Sequence, residues 1–124
     1  MYQRNVRLAK CYYFWLRQRR DIQRDILYAS AAPGDGMPRA SGNGDPTAAK
    51  AEKLIARLAE VDRKIDAMQK AMDALPDEDC RVLVRKNLFD HLPMQYIPVS
   101  MSERTMKRVR AQYIRLVAEY MGEA

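Results

Sequence analysis

A chain of 124 residues has room for one domain, or for a small domain with appended helices. Its 22 Lys and Arg outweigh 16 Asp and Glu, for a formal charge of +6 and a pI near 9.5, which favours polyanionic partners. The composition excludes other classes. Cys11, Cys80 and the single histidine, His91, have no zinc-ligand spacing, so reduced thiols and no metal or cofactor are expected. No apolar run has the length of a membrane span, and charges interrupt the N-terminal MYQRNVRLAKCYYFWLRQRR too often for a signal peptide. The cytoplasm is the expected compartment, and no nucleophile–base pair marks an enzyme or a small-molecule substrate.

Residues 2 to about 30 read as one long helix. Leu8, Tyr12, Trp15, Ile22 and Ile26 share a stripe that Arg19 interrupts, and Val6, Tyr13 and Leu16 widen the apolar face. Consecutive aromatics on a helix point in different directions, so Tyr12-Tyr13-Phe14-Trp15 is expected to knit packing surfaces together rather than stack bases. Residues 31–46, AAPGDGMPRASGNGDP, hold four of the five glycines and three of the six prolines, and predict a long loop. Asp45-Pro46-Thr47 ends that loop as a helix start, with proline at the first helical position.

Leu54, Leu58, Val61, Ile65, Met68, Met72 and Leu75 then alternate four- and three-residue steps, a heptad seam on a helix from Thr47 to Leu75. Such a seam needs a partner helix. An antiparallel hairpin with the first helix is one solution and a homodimeric coiled coil is another; periodicity does not separate them. Pro76 stops the helix, and Asp77-Glu78-Asp79 favours the start of the next, over 77–90, with Cys80, Leu83, Val84 and Leu88 inward. His91-Leu92-Pro93 turns the chain, and Pro93 to Val99 is a brief segment between two prolines.

The stretch SMSERTMKRVRAQYIR, Ser100 to Arg115, follows. Ser100 and Glu103 have capping-box spacing, and Ser102 is the other candidate cap. Met106, Val109, Tyr113, Leu116 or Val117, and Tyr120 form one apolar stripe, with Arg104, Lys107, Arg108 and Arg115 largely off it. Helix, short helical piece, tight turn and basic helix make up the plan of a helix-turn-helix, whose last helix enters the major groove.

Three stretches of this chain resemble the ArpU and RinA type of small phage transcriptional regulators, whose C-terminal part is similar to region 4 of bacterial sigma factors. They are the loop Asp35-Gly36-Met37-Pro38-Arg39 continuing to Gly44-Asp45-Pro46-Thr47; the heptad helix; and Arg81-Val82-Leu83, Met94 to Ile97 and Ser102-Glu103-Arg104-Thr105-Met106-Lys107-Arg108. The resemblance implies an all-α protein of the bacterial host cytoplasm, residues 1–76 forming a helical hairpin and 77–124 a sigma-like helix-turn-helix. It implies sequence-specific binding to double-stranded DNA, control of late phage or prophage genes, and contact with RNA polymerase. In that reading Ser102 caps the recognition helix. Arg104, Lys107 and Arg108 reach bases or phosphates, Thr105 and Glu103 make shorter polar contacts, and Arg115 extends the basic face. The chain departs from the pattern at Asn87-Leu88, where an Arg-Tyr pair is usual. Ile97 to Ser102 is about two residues short, and Pro98 stands where a helical residue is expected. The motif's second helix must then be very short, or must begin at Pro98. Two other readings use the same features: a DNA-packaging accessory resembling a small terminase subunit, and a helical protein-interaction module working through Leu54–Leu75.

Overall fold

The computed structural model describes residues 2–30 and 46–122, and every element among them is helical. The fold is all-α. In chain order the elements are α1 (Tyr2–Lys10), α2 (Tyr12–Ser30), α3 (Pro46–Asp73), α4 (Glu78–Val84), a π-helical turn (Arg85–Phe89), a 3-10 turn (Met94–Tyr96) and α5 (Glu103–Tyr120). The expected loop up to Asp45, including the Met37-Pro38 stretch and the Asp45 cap, lies outside the described residues. Pro46 is the first residue of α3, where its missing N–H costs nothing.

Cys11 divides the long helix expected over residues 2 to 30. Its amide bonds the Leu8 carbonyl three residues back, at 3.1 Å, a tighter turn than the α-helix. Beside it the Lys10 carbonyl meets His91 Nε2 at 2.7 Å, which requires the hydrogen on Nε2. The break therefore falls where a residue from eighty positions further on reaches into the backbone. No pattern within residues 2 to 30 carries that information.

The heptad seam is satisfied within the chain. Leu54, Val61 and Ile65 join Ile22 in one buried cluster, with Tyr12, Trp15, Leu16, Ile26 and Leu58 packed against it. The pairings along α2 and α3 run in opposite directions: Gln69 donates to the Tyr12 hydroxyl at 3.2 Å, and Arg19 faces Asp62 at 3.8 Å. Thus Arg19, the charge that interrupts the α2 stripe, meets a carboxylate at the edge of the seam. That pair is half exposed and contributes little to stability.

The second half of the seam enters a larger cluster. Met68 and Leu75 are buried with Leu83, Val84, Leu88, Val109, Tyr113 and Val117, and Val6 and Ala9 of α1 complete it. Ala67 and Ala71, a turn apart on α3, are also buried and let α5 approach closely. The aromatic block divides as its directions require. Tyr12 stacks on Phe89 at 4.3 Å between centroids, Tyr13 donates to Asp90 Oδ1 at 2.8 Å, Lys64 Nζ lies 4.1 Å from the Trp15 ring centre, and Phe14 is half exposed.

Candidate nucleic-acid interface

α5 begins because Ser102, in extended backbone, accepts a hydrogen bond from the Thr105 amide at 3.2 Å. Of the two candidate caps it is Ser102, not Ser100, that serves. Its hydroxyl also donates to Thr105 Oγ1 at 3.0 Å, so both polar side chains at this helix start are engaged with each other. Glu103 pairs with Lys107 across one turn at 3.6 Å, both well exposed. Among the seven residues expected to touch DNA, four are therefore occupied locally.

The remaining three form a line. Arg104, Arg108 and Arg115 are exposed, and among the described residues no carboxylate pairs with any of them. Steps of four and seven residues place them on one face of α5, with half-buried Ala111 between the second and third. At 1.5 Å per residue the line is roughly 16 Å long. The opposite face, Met106, Val109, Tyr113, Ile114 and Val117, is buried. Ile114 was not in the expected stripe, and Tyr120, which was, is half exposed.

α5 is held along its length. Tyr113, fully buried, donates its hydroxyl to the Met68 carbonyl at 3.1 Å, and burial pushes its ionisation far above the usual tyrosine range. At the C-terminal end, Arg63 of α3 donates to the Met121 carbonyl at 3.0 Å and so satisfies a helix-end acceptor. Nearer the start, Arg110 Nε donates to Asn87 Oδ1 at 3.0 Å while Asn87 Nδ2 donates to the Leu92 carbonyl at 3.0 Å. One amide thus ties α5, the π-helical turn and the following turn together. Asn87 is the position that departs from the Arg-Tyr pattern. Its role as a bridge depends on Arg110, twenty-three residues on, and no local motif announces it.

The segment before α5 is short. Asp77 caps α4 by accepting from the Cys80 amide at 3.0 Å, which holds its carboxyl below the usual range. His91 adopts a positive φ of 62°, a conformation costing a non-glycine residue roughly 1–2 kcal/mol. Its ring contact with Lys10 and the adjoining Tyr13–Asp90 hydrogen bond hold that turn against α1 and α2. Only the 3-10 turn Met94–Tyr96 occupies the place between the turn and α5, and Pro98 lies beyond it without helical structure. No helix begins at Pro98.

Comparison with family models, with curated proteins and with solved structures gives no match. Among the described residues, no three His, Cys, Asp or Glu side chains converge as a metal site would require, and no helix is long and apolar enough to cross a membrane.

Proposed function

We propose that the protein is a sequence-specific binder of double-stranded DNA that reads the major groove with α5. The observation that carries this is the line of Arg104, Arg108 and Arg115, uncompensated and outward, on a helix fixed at start, middle and end. A side chain that discriminates bases has to arrive from a backbone that does not yield, and arginine pairs bidentately with guanine edges. Lys107, at the flank and half neutralised by Glu103, is suited to phosphate rather than to a base. Ser102 and Thr105 act through the cap, as positioning residues. The resemblance to ArpU and RinA type regulators supports control of phage genes as the setting, with RNA polymerase as a further partner. The interaction-module reading is weakened, because the seam it would use is packed inside the chain.

The test is selection of sites from fragmented genomic DNA, then binding of the selected site by wild type and by the Arg104→Ala/Arg108→Ala double variant. Each lost base contact should remove about 1–3 kcal/mol of discrimination, and each lost phosphate contact should flatten the slope of log affinity against log salt by about 0.9. An isotherm unchanged in the double variant, with the helical far-UV signal intact, would remove α5 from the interface.

A further inference from the structure

A cavity of about 580 Å³ opens between α1, α3 and the C-terminal end of α5. Four basic side chains line it, Arg4, Arg7, Arg63 and Lys64, against one carboxylate, Glu60, which Arg63 already engages at 3.7 Å. Its apolar wall is Leu8, Trp15 and Met121. Trp15 also carries a buried Nε1–H with no hydrogen-bond partner. The volume falls within the range of small-molecule pockets, which combine apolar walls with a few converging polar groups. An apolar wall beside Arg7 and Lys64, neither of which pairs with a carboxylate among the described residues, is complementary to one kind of occupant.

We propose that this cavity binds a small organic anion built from a planar ring and a phosphate or carboxylate group. The ring lies against Leu8 and Met121, beside Trp15, and the anionic group meets Arg7 and Lys64. Lys64 is already drawn over the indole at 4.1 Å, so it can close on a ligand with little change of position. This site is independent of the α5 arginines.

Trp15 is the only tryptophan in the chain, so its fluorescence reports on this wall alone. The probes are adenosine monophosphate, benzoate and, as a neutral control, adenosine. Saturable change in Trp15 emission is expected with one or both anions, at least tenfold weaker with adenosine. Arg7 is exposed, so Arg7→Glu should leave the fold intact while weakening the anion at least tenfold; Lys64→Gln should weaken it several-fold. Arg20→Glu, on the outer face of α2, should leave it unchanged. Saturation by the phosphate alone or by the carboxylate alone identifies which anionic group the site takes. Failure of both anions to saturate, or equal affinity in wild type and Arg7→Glu, overturns the proposal.

Discussion

Tyr113 and Ser102 show how much the placement of α5 depends on residues away from its line of arginines. Tyr113→Phe keeps the ring but removes the donor to the Met68 carbonyl, and should cost about 1 kcal/mol in urea unfolding. Ser102→Ala removes the α5 cap and should also cost about 1 kcal/mol, with fraying read as faster amide exchange at Thr105. Asp77 makes a prediction in pH. Its carboxyl is held below the ordinary value by the Cys80 amide, first through the hydrogen bond itself. A depressed folded value means that its contribution is complete above the unfolded carboxylate range and disappears as pH falls through the folded one. The stability difference between wild type and Asp77→Ala should therefore be constant near neutrality and should shrink on acidification below the ordinary aspartate range. Charge and periodicity alone already select Arg104, Arg108 and Arg115 as outward cations. That Glu103 would neutralise Lys107, and that Thr105 would be consumed by the cap, depends on rotamers which spacing does not determine.

α3 has two working faces, and only one was legible. Its four-and-three pattern of large side chains names the seam correctly, because apolar residues at those steps have to share one side of a helix. The second face is made by Ala67 and Ala71, 2 % and 0 % exposed, and alanine carries no directional signal in a sequence. Enlarging it is informative. Ala71→Leu should cost about 1–3 kcal/mol, since Ala71 is fully buried in the core cluster between α3 and α5. Ala56→Leu, exposed on the same helix, should stay within about 0.5 kcal/mol. Thermal or urea unfolding of the pair separates packing from helix propensity, which both changes alter equally. The α1–α2 break and the short 3-10 turn show the same division between local and distant causes. Pro98 limits the helix before α5 from within its own segment, whereas Cys11 answers to His91.

On the scale of the molecule, the all-α class follows from the sequence, but the distribution of the core does not. Val6 and Ala9, from α1, are buried in the cluster that supports α5, together with Met68 of α3 and Leu75 just beyond its end. A fragment comprising residues 77–124 would leave that cluster without α1 and α3. It should give no cooperative urea transition, whereas the whole chain should give one. A sharp transition from the fragment would show that the basic helix needs no support from the rest. The composition could not show this arrangement, because α1 reads as an ordinary amphipathic extension of α2.

The packing of α1 on α5 also has a consequence in time. About ninety residues separate the end of the first from the start of the second, so at roughly 5–20 residues per second the ribosome delivers the partner of α1 about 5 to 20 seconds late. During that interval α2 and α3 can close on each other, but the apolar side of α1 has nowhere to go. α1 is made well before α5 and is buried late, and the nascent chain must keep it from sticking elsewhere until α5 emerges.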